Sequence, residues 1–495
     1  MKTIILVNPP LSVQERYGGL SWAGGVEPPF GLCYLASVLR ENGYPVTILD
    51  AQALKLSAEA TIRHIVEENP DVIGLTAVTS SVSAAAFVVA QVKSAIPRIS
   101  AIVGGAHVSA MPRETLLRFP QFDAGVIGEG EQTILELIPA LHNSDALRSV
   151  AGIIFQDHDS LIINPPRAYI PDLDTLPMPA FDLLPELATH YTLPLQSVSR
   201  LPSVSLITSR GCVGKCAFCD HSVFGNQYRS HSPEYIFSMI KVMHDQYSIR
   251  EILFEDDNFL VNKSRVRKLI DLIQKGKLDL RWSCLTTISP LDPDLLKEMK
   301  NAGCWQILLG IESGSQCILD ILEKQVAVDQ IRSTIESVHA QGIKTKGFVI
   351  AGSPGETRQT LAQTRSLILS APLDDVSITF FVPYTGTALY PQIASHGAFD
   401  DDWIKSNQFQ IVFLPKGITS DELADFVKGT YRMFYFRLRI IFSYVQRCTN
   451  ISIFGKYIAA GFAFIKYSIR TKNKTYFEVA DRNSEKLLLM PTTLG

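Results

Sequence analysis

Residues 207–220 read ITSRGCVGKCAFCD and contain three of the eight cysteines of the chain. Cys212, Cys216 and Cys219 follow an apolar run that predicts a buried strand, so we expect their thiols on one loop at the end of that strand. Three thiolates on such a loop can hold three irons of a cubane iron–sulfur cluster, which leaves the fourth iron open to an outside ligand. The spacing therefore predicts a cluster site.

The spacing alone leaves two other interpretations of this cysteine loop open. Zinc prefers four protein ligands, and Asp220 or His221 could supply the fourth. The three cysteines could also be unrelated to one another. Phe218, directly before the last cysteine, can pack beside a bound cluster.

The composition of the chain excludes several classes of protein. The 495 residues include 46 Lys and Arg against 49 Asp and Glu, which gives a formal net charge of −3. Such a chain lacks the broad basic field of a dedicated nucleic-acid binder, so we expect no nucleic-acid partner. Its 46% of hydrophobic residues is ample for packed cores. The few cysteines and the lack of a long uncharged apolar stretch predict a cytoplasmic protein without disulfides.

The first 145 residues alternate short apolar runs with amphipathic helical patterns. This alternation is typical of an α/β fold in which helices cover both faces of a parallel sheet. The pattern predicts five strands, at residues 3–8, 46–50, 72–78, 101–105 and 124–127. We therefore expect a doubly wound, flavodoxin-like domain over residues 1–145, with its ligand outside the carboxyl ends of the strands.

The remainder of the chain divides into three segments. Residues 146–195 combine one small predicted hairpin with a cluster of prolines, which indicates an extended linker. Residues 196–410 predict a partial (β/α)6 barrel, with functional groups at the carboxyl ends of its strands. The six barrel strands are predicted at 203–208, 251–256, 281–287, 305–311, 345–351 and 376–383. Residues 411–495 predict a helical region.

The cysteine loop, at the end of the first strand of a six-stranded barrel, resembles that of the radical S-adenosylmethionine (radical SAM) superfamily. Three later segments resemble those that contact SAM in the family: FEDDN at 254–258, GIESG at 310–314 and GFVIAGSPGET at 347–357. The resemblance covers about residues 200–410 and implies a 4Fe-4S cluster on the three cysteines. The SAM contacts that it implies are Phe218, Asp256, Asp257, Glu312, Ser313 and Gly352.

The N-terminal domain resembles the cobalamin-binding domain that precedes many radical SAM barrels. VGGAH at 103–107 is similar to the glycine pair that admits the nucleotide tail of the cofactor, and GEGE at 128–131 is similar to the segment after the last strand. The cobalamin contacts that the resemblance implies are Thr76, Thr79, Ser81, Gly104, Gly105, His107, Gly128 and Glu129.

One feature of this domain departs from the family pattern. Many cobalamin domains carry Asp-x-His-x-x-Gly after the first strand, and the histidine binds cobalt. Here residues 27–32 read EPPFGL and contain no histidine. We therefore expect the lower face of the cobalamin to lack a histidine ligand, as in the subgroup of cobalamin-dependent radical SAM enzymes that leave this face open.

The two resemblances together imply a cobalamin-dependent radical SAM enzyme. Such enzymes reduce bound SAM with the cluster, and the radical produced removes a hydrogen atom from the substrate. We expect methylation of an unactivated carbon in a small or lipid-like substrate, with an electron donor such as flavodoxin or ferredoxin. A non-methylating oxidoreductase or cyclase of the same architecture is the alternative. A second alternative is a non-catalytic cobalamin or iron–sulfur sensor, although a sensor has no need of SAM-contacting segments. The sequence identifies no catalytic acid or base.

The segment Phe426–Ile469 is rich in aromatic and aliphatic residues, with basic residues placed among them. A helical cap that buries an apolar face against the barrel explains this composition. The alternative is a helical segment on a membrane surface, where rings settle at the boundary and cations meet anionic lipids. We expect any such membrane contact to be peripheral, because lysines interrupt the apolar run.

Overall fold

The computed structural model describes residues 2–158, 160–447 and 451–469. The N-terminal part of the chain forms a seven-stranded sheet in the order β2-β1-β3-β4-β5-β6-β7. Its strands are β1 (Ile4–Asn8), β2 (Val46–Asp50), β3 (Val72–Thr76), β4 (Ser100–Gly104), β5 (Ala124–Val126), β6 (Ile153–Asp157) and β7 (Ser160–Ile163). Strands β1 to β5 are parallel, and their order confirms the predicted doubly wound topology.

Helices cover both faces of this sheet, which explains why its strands are apolar throughout. In β1, Ile5 and Val7 join the apolar cluster on one face, while Ile4 and Leu6 join the cluster on the other. The helices are Val13–Tyr17, Phe30–Glu41, Ala58–Glu68, Val82–Ala95, Ala106–Ala110, Pro112–Arg118, Glu131–Ala140 and Ser144–Arg148.

The predicted hairpin in the linker region belongs to this sheet. Strand β6 pairs antiparallel with β5, and β7 pairs with β6. The sheet therefore continues beyond residue 145, where the sequence pattern ends the first domain. The proline-rich chain that follows is irregular but packed, since Phe181 and Leu187 are buried in the same apolar cluster as barrel helices. It contains the short helix Leu187–His190.

The second sheet is the predicted partial barrel. Its strands are β8 (Ser203–Leu206), β9 (Glu251–Phe254), β10 (Arg281–Thr287), β11 (Cys304–Glu312), β12 (Lys344–Ala351) and β13 (Asp375–Phe380). All six are parallel and lie in sequence order, so the barrel is open between β8 and β13. Its helices are Pro233–Gln246, Lys263–Gly276, Pro293–Asn301, Gln316–Ile321, Val328–Ala340 and Arg358–Ser370.

Short elements complete the barrel region. Ser209–Arg210 pairs with Arg229–Ser230, which closes the loop that carries the cysteines. Gly397–Phe399 pairs with Phe413–Pro415 after the sixth strand, next to the short helix Ile393–His396.

Three C-terminal helices, Ser420–Tyr435, Leu438–Arg447 and Ile451–Ile469, pack against the barrel. The hydroxyl of Tyr431 accepts a hydrogen bond from the backbone N–H of Ile378 in β13, at 2.8 Å. At the base of the same strand, Arg447 forms a buried ion pair with Asp375, at 2.6 Å. These contacts support the predicted helical cap. Residues 470–495 of the predicted helical region lie outside the described residues.

The described helices include none with the length and apolarity needed to cross a membrane.

A group of buried ion pairs joins the two sheets. Arg210 donates to Glu129 at 2.8 Å and to Glu131 at 2.5 Å, and Arg229 donates to Glu129 at 2.8 Å. None of these four side chains is more than 8% exposed. The two arginines flank the cysteine loop, while the two glutamates follow β5. The ion pairs therefore fix the position of the cysteine loop against the N-terminal sheet.

Candidate active site

The cysteine loop is held by backbone contacts on both sides. Gly211 begins it with a φ of +78°, and a Cβ at this position would lie 2.3 Å from the carbonyl oxygen of Gln227, so only glycine fits. In the middle of the loop, Ala217 donates its N–H to the carbonyl of Leu322 at 2.9 Å and accepts from the N–H of Leu389 at 3.1 Å. The loop is thus anchored before it meets any ligand.

Two of the thiols lie over the same glycine. The N–H of Gly214 donates to Cys212 Sγ at 3.4 Å, and a Cβ on Gly214 would lie 3.4 Å from that sulfur and 3.9 Å from Cys216 Sγ. Burial raises the pKa of the Cys216 thiol; the nearby ammonium of Lys324 opposes this shift, and Glu312 and Cys212 add to it. Burial and then the charge of Asp257 raise the pKa of Cys219 to about 12. Thiolates at these positions therefore need a bound cation to be stable.

No described group of three or more His, Cys, Asp or Glu side chains has the geometry to hold a single metal ion.

A cavity of about 670 Å³ lies inside the barrel below the cysteine loop. Its walls are apolar where Leu253, Leu285, Leu308 and Phe348 point inward from four neighbouring strands. The N-terminal domain contributes the segment after β1, which lines the cavity with Arg16 and Glu27 among other residues. The cavity is therefore enclosed by both parts of the chain.

A buried ion pair lies at the upper edge of this cavity. Lys324 donates to Glu312 at 2.8 Å, and its ammonium lies 5.9 Å from the centre of the Phe218 ring. Burial lowers the pKa of Lys324, but Glu312 and the nearby thiols of Cys216 and Cys219 outweigh this effect and raise it overall. A positive charge therefore persists beside the cysteine loop.

A second cavity, of about 470 Å³, lies between the two sheets. One side is formed at the carboxyl ends of the N-terminal strands, where six glycines line it: Gly31, Gly74, Gly104, Gly105, Gly128 and Gly130. The other side is formed by Ile207 and Arg210, which precede the cysteine loop, and by Val223 and Phe224, which follow it. The segment that carries the cysteines is therefore a wall of this cavity too.

Comparison with known proteins accounts for both cavities. The family model of the B12 binding domain matches residues 20–138, and that of the Radical SAM superfamily matches residues 206–368. The chain is 31% identical over 443 residues to "Uncharacterized methyltransferase PH0819" of Pyrococcus horikoshii, which covers 89% of this chain and 94% of that protein. This chain belongs to the cobalamin-binding radical SAM family.

Two further comparisons extend over most of the chain. It is 27% identical over 455 residues to the anaerobic magnesium-protoporphyrin IX monomethyl ester cyclase of Cereibacter sphaeroides, which covers 90% of this chain and 72% of the cyclase. The structure of the cobalamin-dependent SAM radical enzyme OxsB, with aqua-cobalamin and SAM bound, superposes with a TM-score of 0.73 at 17% identity. That match covers 94% of this chain and 72% of OxsB, and it confirms the fold.

Membership in this family gives the radical SAM enzyme three cofactors: a 4Fe-4S cluster, SAM and cobalamin. The donor set fits the cluster, because three neighbouring thiols on an anchored loop match three irons and leave one open. The second cavity fits cobalamin, because a Cβ on Gly31 would meet no atom within 4 Å and one on Gly128 would meet only the Val223 carbonyl oxygen, at 3.8 Å. Space that glycines leave open is what a broad, flat ring system needs.

The residues predicted to contact SAM divide into two groups. Phe218 and Glu312 line the barrel cavity, on the side of the cysteine loop. Asp256 is fully buried, and its carboxylate accepts hydrogen bonds from the N–H groups of Thr208 and Ser209 and pairs with Arg265. Asp256 is not among the residues that line the barrel cavity, and its contact with SAM, which the family resemblance implies, stays a prediction.

The other predicted SAM contacts also lie outside the lining of this cavity. Ser313 is buried, where its hydroxyl bonds to that of Thr364 at 3.1 Å. Gly352 donates its N–H to Glu356 at 3.1 Å. Asp257 is exposed, and its charge acts on Cys219.

The residues predicted to contact cobalamin divide in the same way. Thr76, Gly104, Gly105, Gly128 and Glu129 line the second cavity. Thr79, Ser81 and His107 are buried beside it.

The buried histidine is held by packing. His107 Nδ1 lies 3.2 Å from the hydroxyl of Thr79, and its ring centre lies 4.4 Å from that of Trp403. Burial and then the charge of Arg118 lower the pKa of His107 to about 4, so the ring is neutral. Its Nε2 has no hydrogen-bond partner among the described residues.

Glu129 has a role that the sequence did not predict. Both of its carboxylate oxygens accept hydrogen bonds, from Arg210, from Arg229 and from the N–H of Ile170 at 2.8 Å. A residue that lines the cobalamin cavity thus also positions the arginine two residues before Cys212.

Four charged residues of the barrel cavity were not predicted as site residues: Arg16, Glu27, Glu255 and Lys346. Arg16 donates to Glu27 at 2.9 Å. Side chains alternate between the two faces of a strand, so Glu255 points to the same side as Leu253, two residues earlier, and both line the cavity. Arg16 and Glu27 lie in an irregular segment that has no periodic pattern.

The cluster assignment predicts that replacing Cys212, Cys216 and Cys219 together by Ala abolishes iron and sulfide binding and leaves the fold intact, because the thiols are ligands and not core. Anaerobic reconstitution followed by iron and sulfide analysis measures the first effect, and circular dichroism the second. Cys317→Ala, an exposed cysteine elsewhere, is the matched control and should keep the cluster. A wild-type protein that takes up zinc but no iron would contradict the assignment.

The cobalamin cavity predicts a cofactor without an imidazole ligand, because none of the described residues that line it is a histidine. The electron paramagnetic resonance spectrum of the bound cob(II)alamin should lack nitrogen superhyperfine splitting. Gly31→Trp should fill the cavity and prevent cobalamin binding. Gly455→Trp, at another position where a Cβ meets no atom within 4 Å, should not. Nitrogen splitting in the spectrum would show that a protein imidazole reaches cobalt.

Proposed function

We propose that this radical SAM enzyme is a C-methyltransferase that acts on an unactivated carbon of a small or lipid-like substrate. The observation that carries the proposal is that the two cavities share the cysteine-bearing segment as a wall. Ile207 and Arg210 line the cobalamin cavity, and Cys219 and Asp220, a few residues on, line the barrel cavity. We place the substrate in the barrel cavity, on the other side of the cysteine-bearing segment from the cobalamin cavity.

The cluster, SAM and cobalamin, when bound, supply one-electron and methyl-transfer chemistry. The residues of the chain bind and orient the cofactors and shield the reaction site from water. Cys212, Cys216 and Cys219 hold the cluster, and the Lys324–Glu312 pair places a fixed dipole beside it. The leucines of the inner barrel wall exclude water from the site of hydrogen abstraction, which protects a reactive intermediate from side reactions. A flavodoxin or ferredoxin is the class of electron donor that we propose.

A non-methylating cyclase or oxidoreductase is the second candidate. The 27% identity to an anaerobic cyclase over 90% of the chain supports it. The same two cofactor cavities serve either reaction, so the product must distinguish them.

This proposal predicts that the reconstituted enzyme, given SAM with a deuterated methyl group and separate lipid and aqueous cell extracts, forms a product that is heavier than its precursor by one labelled methyl group in place of hydrogen. 5′-Deoxyadenosine should accumulate at the same time. Mass spectrometry measures both. The Cys212→Ala variant should form neither, and Cys317→Ala should form both. Formation of 5′-deoxyadenosine with an unlabelled product would favour the cyclase, and its absence in all conditions would favour a sensor.

We also propose that the C-terminal helices contact a membrane surface peripherally. Residues 426–469 contain seven Lys and Arg and no Asp or Glu. On helices Leu438–Arg447 and Ile451–Ile469, Leu438 is 84% exposed, Phe442 63% and Phe462 72%. Exposed apolar residues beside basic ones suit the boundary of an anionic bilayer.

This membrane contact predicts that the full chain floats with phosphatidylglycerol-containing vesicles in a density gradient. The variant Phe442→Glu with Phe462→Glu should remain in the lipid-free fraction, because its apolar face becomes charged. The matched control is Phe87→Glu with Leu117→Glu, two exposed apolar residues of the N-terminal domain, and it should still float. Equal behaviour of the two double variants would contradict the proposal.

A further inference from the structure

An apolar groove of about 300 Å³ lies next to the barrel cavity, at the base of the barrel. It runs between the last two helices, where Tyr444, Tyr457, Ala460 and Phe464 line it. Gln196 lines both the groove and the barrel cavity, and Ser197, the next residue, lines the cavity alone. The two spaces therefore share Gln196 as part of their walls.

The barrel cavity holds a buried cation on the side of this junction. Lys346 points inward from β12, is only 3% exposed and donates to the hydroxyl of Ser197 at 3.1 Å. Among the described residues it forms no ion pair, although its ring contact with Phe348, at 5.2 Å from the ring centre, covers one side of the ammonium. A buried ammonium without an ion-pair partner among the described residues can pair with an anionic group of a ligand.

The other charged groups near Lys346 form no ion pair with it among the described residues, although Asp375, Glu255 and Glu27 lie close enough to act on its charge. Arg16 and Glu27 neutralise each other in their ion pair. Burial, and then the neighbouring Glu27, raise the pKa of Glu255 to about 8. Burial lowers the pKa of Lys346 to about 8, and the charges of Asp375, Glu255 and Glu27 oppose this shift. The ammonium of Lys346 therefore has no ion-pair partner among the described residues that line the cavity.

We propose that the barrel cavity and the groove form one elongated substrate site for an anionic amphiphile. Its carboxylate or phosphate pairs with Lys346, and its apolar remainder passes Gln196 into the groove. The continuity of the two spaces and the position of the cation at their junction select this occupant over a neutral lipid. The inference rests on the proposed function, since it names the substrate class of the same site.

Three sixteen-carbon probes test the head group. Palmitate and hexadecyl phosphate are anionic, and hexadecanol is neutral; each is titrated anaerobically into the full-length holoenzyme and followed by calorimetry. Lys346→Met should weaken binding of the anions by about ten-fold or more, because a charge-assisted hydrogen bond is lost, and should change hexadecanol binding little. Lys346→Arg should restore anion binding in part. Preference for palmitate or for hexadecyl phosphate then distinguishes a carboxylate from a phosphate source.

Two matched variants test the groove. Gly461 lines it, and a Cβ on Gly461 would meet no atom within 4 Å, so Gly461→Trp fills the groove without a clash. It should weaken binding of all three probes. Gly455→Trp, on the same helix but not among the groove-lining residues, should bind them like the wild type.

The outcomes separate this inference from the proposed function. The anion site is contradicted if Lys346→Met binds palmitate as tightly as the wild type does. It is also contradicted if neither palmitate nor hexadecyl phosphate shows saturable binding. Equal effects of the two tryptophan variants overturn the groove. Probe binding is measured without turnover, so failure of SAM cleavage or of methyl transfer would count against the proposed function alone.

Discussion

Both cofactor cavities depend on one buried group of charges, in which Arg210 and Arg229 of the barrel meet Glu129 and Glu131 of the N-terminal sheet. Ion pairs removed from water are costly when one partner is missing, and loss of one partner costs about 3–5 kcal/mol. The hydrogen bonds of these ion pairs are also directional, whereas apolar packing is not. Arg210 lies two residues before Cys212. The ion pairs that join the two domains therefore also fix the position of the cysteine loop relative to the N-terminal sheet. The ion pairs therefore help to set the spacing between the two cofactor sites, together with an apolar cluster in which Phe30 and Tyr34 pack with residues of the barrel.

The sequence predicted the parts of the fold that have a period. All six barrel strands and the five parallel strands of the first sheet are present close to where the apolar runs place them. The sequence predicted the hairpin β6–β7 but not its pairing with β5. The sequence of a hairpin does not identify which sheet edge the hairpin will join. The proline-rich segment between the two domains was predicted to be an extended linker. In the structure it packs against the barrel, where Phe181 and Leu187 are buried.

The candidate site was predictable where a motif is local and not where it is assembled from distant segments. The three cysteines and Phe218 lie together as their spacing indicates. Asp256 was chosen by its place in a family segment, yet its carboxylate faces Thr208 and Arg265 on the outer side of the barrel sheet. Glu255, its neighbour, takes the inward position. Lys346 had a signal of its own, as a charged residue at alternate spacing with Phe348 and Ile350 on the inward face of strand β12.

The ion pair between Asp375 and Arg447 has a consequence for how the protein is made. Asp375 is fully buried at the base of the sixth barrel strand, and its cation is supplied by a helix 72 residues further along the chain (447 − 375). During synthesis the whole barrel leaves the ribosome before that helix exists, so the nascent barrel must keep its base hydrated or carry an unpaired buried carboxylate. Asp375 therefore gains its cation only after residue 447 has been made, and a chain that stops before this residue leaves the buried carboxylate without that partner.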